Sequence, residues 1–173
     1  MYETAEELDR LQDLLDTSLE ASTAHLRAIV KPGERTLPAD RLTEVLTGMC
    51  TLSIATVTAR REPRISGIDG HFVHGTWIFG TDASAAKARH LRARPAVSVA
   101  HLRGEALGVF AHGTAELIYG PEEREHPLWP EAHRHLLAHY NDDPVKWGDI
   151  VYYRLQPSWM VAYAFAPDSI PET

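Results

Sequence analysis

The chain has 173 residues, 44% of them hydrophobic and 24% charged, a composition ordinary for a soluble globular protein with room for one substantial core. Its net charge of −7 implies no basic face, which argues against nucleic acid and against a membrane surface as partners. No run approaches the ~18 apolar residues of a spanning helix, and the lone Cys50 rules out an intramolecular disulfide.

At the N-terminus, Glu3, Glu6, Glu7 and Asp9 interrupt any apolar core, so no signal peptide is read there and the expected compartment is the cytoplasm. Residues 4–30 place Leu8, Leu11, Leu15, Leu19, Leu26 and Ile29 at mostly three- and four-residue spacings, which predicts one amphipathic helix with an acidic outer face. Thr4 with Glu7 fits a capping box at its start. Such a helix either docks a partner or, more ordinarily, covers a sheet. Lys31-Pro32-Gly33 breaks the pattern. Pro38 opens a second helix through Thr47, with Leu42, Val45 and Leu46 facing in and Gly48 ending it.

From Thr51 the period becomes strand-like. Thr51–Ala59 is rich in β-branched residues, and Arg60-Arg61-Glu62-Pro63 makes a turn. Two apolar runs, Ile65–Val73 and Thr76–Thr81, flank His74-Gly75, a link of hairpin length. A short helix pattern follows over residues 84–94, with Ser84 suited to the N-cap, Lys87 at N3 and Pro95 ending the element. A strand that feeds a helix N-terminus presents free N–H groups and the positive end of a dipole, which is a physical recipe for holding a phosphate. Lys87 adds a full charge there.

Ala96–His101 reads as a strand ended by Arg103-Gly104-Glu105. Ala106–Tyr119 reads as a longer one, with Gly108 and Gly113 marking bulges or close approaches. Residues 122–140 look helical and polar. Asp149–Leu155 and Trp159–Ala166 are the last two strands, joined at Gln156-Pro157-Ser158, and Pro167 onward is a tail. About seven strands in hairpin-like succession, without regular β–α–β alternation, predict a mainly β, α+β fold: a small antiparallel barrel with peripheral helices. No linker or repeat divides the chain, so residues 1–173 are read as one domain, with N-terminal helices over 1–47 and the barrel over 51–166.

The succession TLSIATVTA, PRISGIDGHFV, WIFGTD-x-SAAKARHLRARPAVSVAHLRG, FAHGTAEL and VYYRLQPSWMVAYAF resembles the pyridoxamine 5'-phosphate oxidase-like family of flavin-binding split β-barrels, in its flavin or deazaflavin oxidoreductase branch. The resemblance implies a six-stranded split β-barrel, which with the strand tally above gives a six- to seven-stranded antiparallel split β-barrel with peripheral helices, and it implies a homodimer with two cofactor sites at its interface. It also implies FMN as cofactor, or alternatively a deazaflavin coenzyme, and less commonly haem. By position it implies that Lys87 reaches the cofactor phosphate, with Thr81 and Ser84 beside it. Arg64, Ile65 and Ser66 would lie on the strand running past the ring, Phe79 and Gly80 where the next strand passes the cofactor, and Trp159 where the second subunit contributes a contact.

Two cations of the oxidase pattern are replaced: Asp69 stands where a second lysine belongs, and Ala86 where an arginine precedes the helix lysine. A charge-assisted hydrogen bond to phosphate is worth roughly 1.5–3 kcal/mol, so FMN should bind more weakly unless Arg89, Arg92 or Arg94 compensate. The oxidase activity itself is not expected. No catalytic acid or base stands out. His135 and His139 share a helix face at i, i+4, but no H-E-x-x-H pattern or nearby Cys completes a zinc set, so no metal site is assigned and the helix is read as solvated. His71, His74, His101 and His112, on or beside strands, are read as ordinary hydrogen-bonded histidines that would be the candidates for haem ligation or proton donation. Buried Cys50 is read as a small hydrophobe. The functional expectation is hydride transfer to an unknown small molecule. The alternatives are a non-catalytic flavin, deazaflavin or haem carrier, and a cofactor-free dimeric barrel.

Overall fold

A computed structural model describes residues 2–120 and 126–170 of the chain. Six strands form it: β1 Met49–Val57, β2 Pro63–Val73, β3 Thr76–Asp82, β4 Ala96–Arg103, β5 Leu107–Tyr119 and β6 Ile150–Ala164. They close into a barrel in the order β1-β2-β3-β6-β5-β4, every pair antiparallel. The ring closes through Ser53 opposite Ala100 and Ala55 opposite Ser98, so no sheet edge is left open for pairing with other chains.

The strand count is six rather than seven. Gln156-Pro157-Ser158 is not a turn; it is a bulge inside β6, where His112 pairs with Trp159 and Gly113 with Pro157, leaving Ser158 as the extra residue. Proline is tolerated there because a bulge relaxes the demand for a ladder N–H. Gly113 is required there, since a Cβ on it would lie 2.0 Å from the Gln156 carbonyl oxygen.

The first expected helix is also divided. α1 runs Ala5–Glu20 and α2 Ala24–Ile29, because Thr23 offers its hydroxyl to the Leu26 N–H (3.2 Å) and starts a new helix instead of continuing the old one. The Thr4–Glu7 capping box forms in both directions. Leu11, Leu15, Ser18 and Leu19 make the buried stripe by which α1 covers β6. None of α2 is buried, and Ile29 is exposed. α3 spans Ala39–Val45 with Pro38 as its N-cap. Leu42 and Leu46 are fully buried, each contributing about 1.5–3 kcal/mol through burial.

His74-Gly75 forms the expected two-residue hairpin, both residues at positive φ (55° and 71°). A non-glycine residue in that conformation needs outside support, and His74 has it. Its Nδ1 lies 3.1 Å from Glu7 of α1, and its Nε2 lies 3.2 Å from Glu131. α4 covers Ala86–Ala93 and α5 Trp129–Tyr140; residues 122–125, where a helix was also expected, lie outside the described residues. α5 is not simply solvated: Trp129, Ala132 and Leu136 are buried against Ile78, Ile118 and Tyr152. The barrel interior is filled by Leu52, Ile54, Trp77, Phe79, Leu155 and Met160, with Cys50 fully buried beside them. No helix among the described residues is long and apolar enough to cross a membrane.

Candidate functional site

The start of α4 is where the expected phosphate reader gathers. Asp82, at the end of β3, turns back to accept hydrogen bonds from the Ser84 N–H (2.8 Å) and hydroxyl, which hold its carboxyl below the ordinary pKa. Ser84 is thereby committed to the turn. The N-cap is Ala85, not Ser84, and Lys87 is at N2 rather than N3. An alanine cannot cap, so the N–H groups of the first turn, Ala86 to Ala88, have no side-chain partner and are left for solvent or a ligand.

Lys87 reaches from this turn to β2, where its Nζ donates to the Gly67 carbonyl at 2.8 Å. Gly67 has nothing within 4 Å of where a Cβ would sit, so the strand is open to an approaching group at that point. The Thr56 hydroxyl and His90 Nδ1 share a 2.9 Å hydrogen bond that pins α4 against β1. Thr56 pairs across the ladder with Arg64, so Arg64 and Ser66, alternate residues of β2, lie on the face that α4 covers. The Arg64 guanidinium is exposed and paired with Glu62 (2.7 Å), a surface ion pair worth ~0–1 kcal/mol and easily exchanged for a ligand. Arg89 donates to the Ser84 carbonyl beside the helix start, and Arg94 to the Val57 carbonyl (2.9 Å). Of the three arginines considered as replacements for the missing cations, Arg89 is therefore tied down next to the helix start.

The other expected residues are spread further. Phe79 points into the barrel and stacks on Tyr153. Gly80 is covered on the opposite, outer face, since a Cβ on it would meet the ring of Tyr152, which packs under α5, at 2.4 Å. Thr81 sits one residue before the Asp82–Ser84 turn, half-buried. Ile65 is 74% exposed on the outer face of β2. From it a ladder row runs outward across the sheet through Ala55, Ser98, His112 and Trp159. His112 and Trp159 stack at 4.6 Å, His112 Nδ1 shares a 2.9 Å hydrogen bond with the Ser98 hydroxyl, and the Trp159 Nε1–H donates to the Ser18 carbonyl of α1 and to the hydroxyl of Ser22 just beyond it. Beside this row lies an open groove of about 500 Å³, floored by Ala55, Val57, Ser98 and Thr114. Ile65, Leu102 and Phe110 leave large apolar side chains on the same outer surface.

Gly67 was not legible as a site residue. Its only sequence signal is a glycine within a strand, and what marks it is the lysine from a helix twenty positions later. Nor was the buried histidine network. His71 shares a 3.0 Å hydrogen bond with Tyr140 through Nε2 and another with His135 through Nδ1. Burial, reinforced by the neighbouring His135 and His139, pushes His71 down to about 3. Burial likewise lowers His135. Burial also lowers His101, whose Nδ1 lies 3.0 Å from the Thr51 carbonyl and whose Nε2 accepts from Arg103. Both ring nitrogens of His71 and of His101 are thus engaged within the protein. Among the described residues no group of three or more His, Cys, Asp or Glu is arranged to hold a metal ion.

A family model described as Pyridoxamine 5'-phosphate oxidase matches residues 39–162. No curated protein matches the sequence. Among solved structures, the chain is similar to the haem storage protein HutZ from Vibrio cholerae at 20% identity, covering 75% of this chain and 94% of that one, with a TM-score of 0.60. A FAD-binding protein from Mesorhizobium loti is 21% identical over 75% of this chain and 94% of its own, with a TM-score of 0.55. An F420 reductase is 17% identical over 68% and 93%, with a TM-score of 0.53. At these identities the likeness establishes the fold.

Proposed function

Because the chain belongs to the pyridoxamine 5'-phosphate oxidase family, we propose that it binds a flavin nucleotide or a deazaflavin coenzyme, with the phosphate at the first turn of α4, and serves as an oxidoreductase acting on a small molecule. The observation that carries this reading is Lys87, placed by an uncapped helix start over an unobstructed stretch of β2. The donor set fits a phosphate: three free N–H groups, the positive end of the α4 dipole, one lysine, and Arg64 within the same face. A bound cofactor would supply the hydride chemistry at its ring. The chain's own part is to hold the phosphate, to run the Ile65–Gly67 backbone beside the ring, and to exclude water from it.

Asp69 and Ala86 leave this phosphate site with fewer cations than the oxidase pattern, which supports a cofactor other than tightly held FMN. The outer face bearing Ile65, Leu102 and Phe110 is apolar enough to be covered by a second copy of the chain. In that homodimer the cofactor would lie between the two barrels, near His112 and Trp159. FMN and a deazaflavin coenzyme titrated into the purified protein should produce binding-dependent quenching of cofactor fluorescence. Bleaching of the bound cofactor by a nicotinamide donor supports an enzyme, and binding without reduction supports a carrier. A Soret band on adding haem would instead favour the haem reading, for which exposed His112 is the available ligand. Failure of all three at high micromolar concentration would overturn the cofactor reading.

A further inference from the structure

A second cavity lies between α1 and β6, and three-quarters of its lining residues come from chain that precedes the family-matched residues 39–162. At about 650 Å³ it exceeds the groove on the outer sheet and falls within the ~300–1,000 Å³ typical of small-molecule sites. Its floor is apolar and built from three separate elements: Leu15 and Leu19 of α1, Val30 and Leu37 of the following segment, and Val161 of β6. Each of these side chains is buried beneath the opening.

Its mouth is acidic. Asp16 and Glu20, from the last turns of α1, stand on one side, and Asp168 stands on the other. The Glu20 and Asp168 side chains make no hydrogen bond or ion pair among the described residues, and Asp16 accepts one bond, from Gln12 (3.0 Å). Carboxylates at a helix C-terminus face the negative end of the dipole, an unfavourable placement unless a cation answers them, and α1 has no basic residue in its last turn. Among the described residues Arg27 is the one lysine or arginine lining the cavity, and its guanidinium donates to the backbone carbonyls of Glu20 and Ser22. That satisfies the helix end and leaves three carboxylates against one guanidinium, so the rim stays net negative.

We propose that this cavity binds a hydrophobic organic cation, an ammonium group on an alkyl or aryl body, with the apolar part on the Leu15–Leu19–Val161 floor and the charge among Asp16, Glu20 and Asp168. An apolar floor under unpaired carboxylates is complementary to that class and repels its carboxylate analogues. The site is separate from the α4 start, so it stands or falls independently of the cofactor reading.

Octylammonium is the probe, with octanoate and octanol as matched controls, measured by calorimetric titration and thermal shift on the full chain. Octylammonium should bind and raise the melting temperature, octanol should bind more weakly, and octanoate should not bind. Glu20 and Asp168 are both exposed, so the double variant E20Q/D168N should fold normally. It should weaken octylammonium about tenfold, equivalent to ~1.4 kcal/mol, and leave octanol unchanged. A control double variant, E105Q/D149N, makes the same change in net charge at exposed positions away from the cavity and should have no effect. Equal binding of octylammonium and octanoate would overturn the proposal, as would equal weakening by the two double variants or no binding of octylammonium at all.

Discussion

Replacing Lys87 by alanine isolates the phosphate contact from the rest of the site. The parent lysine donates to the Gly67 carbonyl at 2.8 Å and carries two further N–H donors that a phosphate can take. A charge-assisted hydrogen bond is worth roughly 1.5–3 kcal/mol, and the neutral-acceptor bond to Gly67 about 0.5–1.5. If the phosphate displaces part of the Gly67 bond, the net contribution of Lys87 to binding is ~1–2 kcal/mol, a factor of about ten in Kd. The same substitution should cost the fold less than ~1 kcal/mol, since the lysine is only half-buried and the carbonyl it leaves can be hydrated. The assay is a fluorescence titration of parent, Lys87→Ala and Lys87→Arg with whichever cofactor the parent binds, at 0.05 M and about 0.5 M salt. Lys87→Arg should recover most of the affinity. The difference between parent and Lys87→Ala should shrink in salt, because an exposed charge is screened. If Lys87→Ala binds as tightly as the parent, or if Arg92→Ala costs as much, the phosphate does not sit at the start of α4.

The remaining predictions concern the frame around the site. His71 is held neutral in the fold, down to about 3, while its unfolded form takes a proton near 6.5. The unfolded chain therefore binds more protons below pH 6.5, and stability should fall as pH drops through the window from 6.5 towards 3, by ~2 kcal/mol at pH 5. His71→Gln should flatten that slope in thermal melts, and an unchanged slope would refute it. Gly113→Ala should destabilise by at least ~2 kcal/mol in urea, since its Cβ meets the backbone oxygen of Gln156. Gly67→Ala, facing open space, should leave stability unchanged but weaken cofactor binding; equal urea midpoints for the two variants would contradict the structure. Ile65→Asp combined with Phe110→Asp should convert a dimer to a monomer in light scattering, and a dimer that survives both changes uses another face.

Much of the frame was legible because its signals are local. The Thr4–Glu7 box, the His74-Gly75 turn, the Gly48 helix end and the β-branched run of β1 each depend on neighbours a few residues apart. Where local rules offered two outcomes, tertiary context chose. Ser22-Thr23 can sit inside a helix or start a new one, and α1 ends there, with Ser18 and Ser22 engaging β6 through Trp159. Gln156-Pro157-Ser158 can be a turn or a bulge, and β5 passing alongside without interruption makes it a bulge. Ser84 can cap a helix or close a turn, and the nearby Asp82 carboxylate takes it for the turn.

By itself, the sequence determined the barrel, the hairpin and helix start at residues 64–95, and the presence of one lysine where an anion could be held. Periodicity, turn chemistry and the resemblance all act along the chain, and they agree there. Only the tertiary structure decided which side chains meet. It set Lys87 over Gly67, drew His71, His135 and Tyr140 into one buried network, turned Phe79 inward, and opened an acid-rimmed cavity between α1 and β6. Those contacts join residues from 20 to 142 positions apart, from Gly67 with Lys87 to Leu19 with Val161. No local pattern encodes such pairs; they follow from barrel closure and from the face that each helix buries.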